Sequence, residues 1–302
     1  MSYILTTTNL TKTYDKKNAA KDVNIHVREG EIYGLIGRNG AGKTTVMRMI
    51  SGLSKPTAGT YTLNGENKFG VGVLIESPGI YPNMSATENL RLKCIGMGCY
   101  SKRYVEELLL TVGLENAGKK NAGSFSLGMR QRLGIALALA GDPRMIVLDE
   151  PINGLDPQGI VEVRHTLEKL KEEKNITIMI SSHILDELSK LADSYGIIHE
   201  GRLIDEFTTE ELSSRCGQYI VIKTTDNKKA AALINQTNEF SQGRAIASID
   251  DDGCVRVTDA LEKTIEINKA LMQNNIGVKE LFINRTSLED YYLKVTGGDH
   301  NG

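Results

Sequence analysis

Short apolar runs bounded by glycines and charges alternate with longer, helically spaced stretches over the first two thirds of the chain. Residues 31–36 (EIYGLI) read as a buried strand between a charged end and a glycine-rich one, and residues 44–51 as the helix that follows. A second apolar strand, 145–148, runs into Asp149-Glu150-Pro151. A third, 176–180, runs into Ser181-Ser182-His183. The helix between them opens at Asp156-Pro157, where aspartate can cap and proline can take the first helical position. Strands alternating with helices predict an α/β sheet. Residues 59–64 and 195–206 read as hairpin-like antiparallel pieces. Residues 83–141 read as mostly helical, opened by the capping box Ser85-x-x-Glu88.

After about residue 214 the texture changes. Residues 218–224 (QYIVIKT) alternate as a strand does, and 228–235 follow as a short helix. Residues 245–249 and 255–258 read as strands around the turn Asp250-Asp251-Asp252-Gly253. A helical stretch at 261–273, a strand at 278–284 and a last helix capped by Thr286-x-x-Glu289 complete the set. The order β-α-β-β-α-β-α predicts a small ferredoxin-like α+β domain.

Composition narrows the class. At roughly 150 residues per domain, 302 residues suggest one large domain or two smaller ones. The apolar share of 40% is that of an ordinary soluble globular protein. The longest strongly apolar stretch, 133–141, falls far short of the ~20 residues of a membrane span. The N-terminus MSYILTTTNL has no basic segment followed by an apolar one, so a secreted chain is not expected. A net charge of −2 argues against a basic nucleic-acid binder. Cys94, Cys99, Cys216 and Cys254 have no histidine at metal-ligand spacing. The Cys94/Cys99 pair is read as two free thiols in a reducing compartment, with half of a metal site as the alternative.

Candidate chemistry begins at Gly37-Arg38-Asn39-Gly40-Ala41-Gly42-Lys43-Thr44, followed by Thr45. It matches the P-loop pattern and lies between a predicted strand and a predicted helix, the context that gives the motif meaning. Glycines let backbone N–H groups turn inward around phosphate oxygens, and the helix N-terminus adds positive potential. Lys43 would reach the β- and γ-phosphates and Thr44 would offer a hydroxyl to Mg²⁺. Asp149-Glu150 ends an apolar strand at the edge where α/β sheets bind ligands. Asp149 would hold Mg²⁺, and Glu150 would orient or deprotonate an attacking water. Surface acids opening a loop would look the same locally.

Phe125-Ser126-Leu127-Gly128-Met129-Arg130-Gln131-Arg132 precedes an Ala/Leu-rich helix, upstream of Asp149. Together with the P-loop, Asp149-Glu150, the Asp156 turn and His183, this segment resembles the signature motif of ABC transporter ATPases. The resemblance covers roughly residues 3–206. The family usually reads Leu-Ser-Gly-Gly-Gln here; this chain keeps Ser126 and Gly128 and carries Phe125, Leu127 and Met129 at the other places.

The resemblance implies an ATPase domain over residues 1–214, with an antiparallel β subdomain and a helical subdomain at about 83–141. It leaves a C-terminal domain over 215–302, read as regulatory or dimer-supporting. It implies a head-to-tail homodimer with ATP between one copy's P-loop and the other's Ser126 and Gly128. Asp156 resembles the aspartate that crosses this interface, while a plain N-cap fits it equally well. His183 resembles the switch histidine at the γ-phosphate. The other histidines, His26, His165, His199 and His300, are read as solvated. Tyr14 matches the aromatic that stacks on adenine; a half-buried strand tyrosine is the bland alternative.

Glu76, in Val73-Leu74-Ile75-Glu76-Ser77-Pro78, stands where most of the family carries glutamine, a position that reaches Mg²⁺ and the attacking water. A carboxylate there, the segment 80–90 and the ending Ser287-Leu288-Glu289-Asp290-Tyr291-Tyr292-Leu293 resemble the subgroup serving bacitracin-type and lantibiotic peptide exporters. The implied cofactors are ATP and Mg²⁺. The implied partners are separately encoded permease subunits, with the chain peripheral on the cytoplasmic face of the plasma membrane and no nucleic acid bound. A soluble ABC-type ATPase of translation or DNA repair is the alternative. A metabolic P-loop kinase ranks last, because the signature and His183 have no role in one.

Overall fold

The computed structural model describes residues 2–64, 70–215, 218–250, 252–258, 260–285 and 287–297. They form two compact units, Met1–Thr209 and Glu210–Gly302.

The first unit opens with β1 (Tyr3–Tyr14), β2 (Lys17–Val23) and β3 (His26–Arg28), then β4 (Ile32–Ile36), α1 (Lys43–Ile50), β5 (Ala58–Leu63) and β6 (Gly72–Leu74). Three helices follow: α2 (Ala86–Met97), α3 (Lys102–Thr111) and α4 (Leu127–Leu139). The unit closes with β7 (Met145–Asp149), α5 (Pro157–Lys174), β8 (Thr177–Ser182), α6 (Leu185–Ser189), β9 (Ser194–His199) and β10 (Arg202–Thr208). Its central sheet has the order β10-β9-β4-β8-β7-β6, parallel except for the β9/β10 hairpin. Strands β4, β7 and β8 are buried at every residue, which is why their sequences run apolar without alternation. A second, antiparallel sheet pairs β1 with β2, β3 and β5. Leu5, Leu10, Val23, Ile25 and Val27 from this sheet share one core with Tyr33 and Leu35 of β4, Val46 and Met47 of α1, and Val147 of β7.

Helix α7 (Thr209–Arg215) begins at the boundary. The second unit then runs β11 (Gln218–Thr224), α8 (Asn227–Gln236), α9 (Asn238–Ser241), β12 (Ala247–Ile249), β13 (Val255–Val257), α10 (Thr264–Gln273), β14 (Val278–Arg285) and α11 (Leu288–Thr296). Its sheet, β12-β13-β11-β14, is antiparallel throughout. Alternate residues Ile220, Ile222, Val255 and Val257 are fully buried against Ala230 and Ile234 of α8 and Ile267 and Leu271 of α10. That is the split β-α-β pattern expected for this region, with α9 as a short addition.

Several expectations need correcting. Residues 59–64 do not make a hairpin of their own: β5 pairs with β1, whose threonine-rich sequence hides its alternation. The last helix is capped by Ser287 and Asp290, a reciprocal capping box one residue later than expected. Thr286 lies outside the described residues, as do Asp251 of the predicted turn, Cys216 and His300. His26 is not simply solvated. Its Nδ1 lies 2.8 Å from Glu206, whose other carboxylate oxygen accepts the phenol of buried Tyr33 at 2.7 Å. Burial and that carboxylate push the Tyr33 phenol far above its usual range. His199 is half-buried, and the side chain of His165 is exposed.

Candidate nucleotide site

The loop joining β4 to α1 is shaped by what surrounds it. A Cβ on Gly42 (φ +108°) would sit 2.4 Å from the Ala19 carbonyl oxygen of β2, and one on Gly37 would sit 2.5 Å from that of Ile198 on β9. Only glycine fits so close to backbone, and only glycine readily takes that φ at Gly42. Buried Lys43 folds back over the loop. Its ammonium donates to the Gly37 carbonyl at 2.6 Å and lies 3.2 Å from the Glu150 carboxylate. A charge this buried is tolerable because oxygens surround it. A cavity of about 180 Å³ opens in front, lined by Arg38, Asn39, Gly40, Gly42, Lys43, Thr44 and Thr45 with Ala19 and Glu150. Ala41 turns away and is buried in the core.

The acids arrive from β7, and β8 holds them. Parallel register sets Asp149 beside Ser181. The Ser181 hydroxyl donates to Asp149 at 2.5 Å and accepts the Glu150 amide at 2.9 Å, so one side chain fixes both. Thr44 donates to the other Asp149 oxygen at 2.7 Å. Glu150 sits at φ +50°, a conformation that costs free energy in a non-glycine residue and is concentrated at functional sites. Its carboxylate meets His183 Nδ1 at 2.8 Å and accepts there, which places the ring hydrogen on Nδ1. Lys43, Thr44, Asp149, Glu150 and His183 are therefore one connected cluster at the C-terminal ends of β4, β7 and β8.

Thr44 and Asp149 offer a hydroxyl and a carboxylate. Mg²⁺ takes hard oxygen donors and needs only one or two from protein when phosphates and water supply the rest. The residues present fit that ion.

Other predicted residues lie elsewhere. Glu76 is not turned onto Asp149: at φ +65° in the loop after β6, its exposed carboxylate pairs with Arg48 on α1. Tyr14, half-exposed at the end of β1, carries the Lys12 ammonium 5.1 Å from its ring centroid. It does not line the cavity. Ser126 caps α4, accepting the Met129 amide at 3.2 Å, and Asp156 caps α5, accepting the Gly159 amide at 3.0 Å. A Cβ on Gly128 would stand 3.6 Å from the Gly159 Cα, so these two helix starts approach each other away from the Lys43 cavity.

Sequence reading missed Ser181, Arg48 and Ala19. Ser181 had a signal: a hydroxyl residue directly after the apolar run 178–180 of β8. Ala19 acts through its carbonyl, which no side-chain pattern reports. A larger cavity, about 880 Å³, is walled by Val73, Ile75, Tyr81, Leu92, Met97 and Leu137, residues of β6 and the loop after it, α2 and α4, apart from this chemistry.

Known proteins resemble this chain closely. The ABC transporter family matches residues 20–153. The bacitracin transport ATP-binding protein BcrA of Bacillus licheniformis is 44% identical, over 99% of both chains. The lantibiotic transport ATP-binding protein SrtF of Streptococcus pyogenes is 44% identical, over 66% of this chain and 88% of that one. Among solved structures, the dimeric post-hydrolysis state of the ATP-binding cassette MJ0796 bound to ADP and Pi is 26% identical. It covers 68% of this chain and 98% of that chain, with a TM-score of 0.60.

Proposed function

The chain belongs to the ABC transporter ATP-binding family, and on that footing we propose that it is the ATP-hydrolysing subunit of an exporter for antimicrobial peptides of the bacitracin or lantibiotic type. The observation that carries the chemistry is the Ser181 bridge, which sets Asp149 and Glu150 at fixed places beside the P-loop. The substrate class rests on full-length similarity to a bacitracin transport subunit.

The loop amides and Lys43 bind the β- and γ-phosphates. Thr44 and Asp149 would hold Mg²⁺, which when bound offsets phosphate charge. Glu150 takes a proton from the attacking water while His183, hydrogen-bonded to it, holds its orientation. Tyr14 stacks on adenine. Ser126, Gly128 and Asp156 serve the site of a second copy in a head-to-tail dimer. Their placement away from this chain's own Lys43 cavity suits such a role.

Residues 1–214 form the catalytic domain, and 215–302 regulate it or support the dimer. Among the described residues no helix is long and apolar enough to cross a membrane. Separately encoded permease subunits would therefore span it, docking on residues 83–141 and the 880 Å³ groove, with the chain peripheral on the cytoplasmic face of the plasma membrane. Co-expression with those subunits in a sensitive bacterium should raise tolerance of bacitracin or a lantibiotic, and the peptide should stimulate ATP hydrolysis in membrane vesicles. Intact hydrolysis with neither response would overturn the substrate assignment.

A further inference from the structure

Helix α2 ends in a turn that brings two cysteines together. Gly98 takes the left-handed position (φ +70°), and its amide donates to the Ile95 carbonyl at 3.0 Å. The Cys99 amide reaches back to the Cys94 carbonyl at 3.0 Å, the long hydrogen bond of a Schellman turn. The residues at the two ends of that bond commonly meet side chain to side chain, as an apolar contact. Here both carry thiols, and the Cys99 Sγ lies 3.6 Å from the Cys94 carbonyl oxygen. Cys94 is fully buried and Cys99 half-buried, and neither is bonded to another cysteine.

We propose that Cys94 and Cys99 form a reversible thiol–disulfide modification site, closed by hydroperoxide-class oxidants and reopened by thiol reductants. The order of events follows from exposure. Burial, reinforced by the neighbouring Cys99, pushes the Cys94 thiol up to about 12, so at neutral pH it stays protonated and is not the thiol that meets the oxidant. The more accessible Cys99 reacts first. Its thiolate attacks a peroxide oxygen, the O–O bond breaks, and Cys99 becomes a sulfenic acid as the leaving oxygen departs as water. Cys94 sulfur then attacks the Cys99 sulfur, its proton leaves with the displaced hydroxide as a second water, and the S–S bond forms. The two thiols lose two electrons, and both peroxide oxygens end as water.

The closed ring encloses Ile95, Gly96, Met97 and Gly98. Gly96 and Met97 line the 880 Å³ groove, so the modification acts on the wall of that groove.

The sequence makes the test clean. Trypsin cuts after Lys93 and Lys102, so one peptide, 94–102, carries both thiols and neither Cys216 nor Cys254. The full chain is treated with dilute hydrogen peroxide, its remaining thiols are alkylated, and it is digested without reductant. Peptide 94–102 should appear unalkylated and two hydrogens lighter than its dithiol form. Dithiothreitol before alkylation should restore two alkylation sites. Cys94→Ser should divert Cys99 to sulfinic acid, and Cys99→Ser should leave Cys94 unoxidised. Peptide 94–102 remaining a dithiol while Cys254 oxidises would overturn the proposal. So would a wild-type chain whose Cys99 proceeds to sulfinic acid, or whose cysteines link only to Cys216 or Cys254.

Discussion

The two units solve opposite problems with their sheets. Among the described residues, every buried charged side chain, Glu31, Lys43 and Asp149, belongs to the first unit. Among the described residues of the second unit only Thr224 and Ser241 are buried polar ones, and the core beneath its sheet is apolar. A parallel sheet points several strand ends the same way, so β4, β7 and β8 can deliver Lys43, Asp149, Glu150 and His183 to one edge. An antiparallel sheet alternates strand directions and has no such common edge. Buried charge is costly, and this chain tolerates it where phosphate chemistry needs it.

The sharpest way to break that contrast is Glu150→Gln. Removing a general base typically costs about 10²–10⁴ in rate, and we expect hydrolysis to fall by that order while ATP binding persists. The phosphate contacts of Lys43 and Thr44 survive the change, so size-exclusion chromatography with ATP and Mg²⁺ should show a trapped dimer. Wild-type turnover, or a monomer with bound ATP, would remove Glu150 from the mechanism. The counterpart in the second unit is Ile222→Ala. Emptying a fully buried site should destabilise that unit by about 2–5 kcal/mol while leaving nucleotide affinity unchanged. A matching loss of ATP binding would show that the two cores do not stand independently.

Tyr14→Ala probes the first unit's rim. Lost stacking should cost about 1–3 kcal/mol of nucleotide affinity, with Tyr14→Phe near wild type by calorimetry. Equal affinities for the Ala and Phe variants would leave Tyr14 as a strand residue carrying Lys12. Glu76→Gln is expected to lower hydrolysis only a few-fold, because an exposed ion pair such as Arg48–Glu76 contributes about 0–1 kcal/mol. Coupling to the permease subunits should change more. Resistance and ATPase assays on Glu76→Gln and Glu76→Ala, side by side, separate the two effects, and an intact Glu76→Ala would reduce the loop to a connector.

The smallest effects are those of pH. Hydrogen bonds from Ser85 hold Glu88 below the usual glutamate range, and the Lys229 amide does the same for Asp226. Both caps are ionised and stabilising at neutral pH, and each contribution fades as pH falls from the usual carboxylate range, about 4, through the lowered folded value. Glu31 runs the other way: burial raises its pKa, so its contribution is present in acid and is lost as pH rises through the raised value. Acid titration followed by amide exchange should therefore loosen the starts of α2 and α8 in parallel, while only the first unit carries the opposing Glu31 trend. A start of α8 that holds firm in acid would show that Asp226 is not the cap that matters.

What the sequence reveals divides along similar lines. The P-loop is legible because its requirements are local: glycines where backbone crowds backbone, lysine and threonine at fixed steps beyond. The strands β4, β7 and β8 are legible because burial on both faces keeps their central residues apolar without alternation. Strand β1 is not, since threonines occupy both its faces and Asn9 breaks its register at positive φ. Ser181 acquires its role only when β8 is laid beside β7, and Arg48 meets Glu76 across a chain separation that no local pattern encodes.

The strand order has a consequence for how the molecule is made. Strand β4, which feeds the P-loop, is flanked by β8 and β9. On a ribosome adding roughly 5–20 residues per second, β4 emerges on the order of ten seconds before its second neighbour exists. Until β8 follows, Ile32–Ile36 is an apolar strand with both hydrogen-bonding edges open, and Asp149 has no Ser181 to hold it. The nucleotide site therefore assembles late, once the chain has passed His183. A nascent chain truncated before β8 should be the form that chaperones hold and proteases remove.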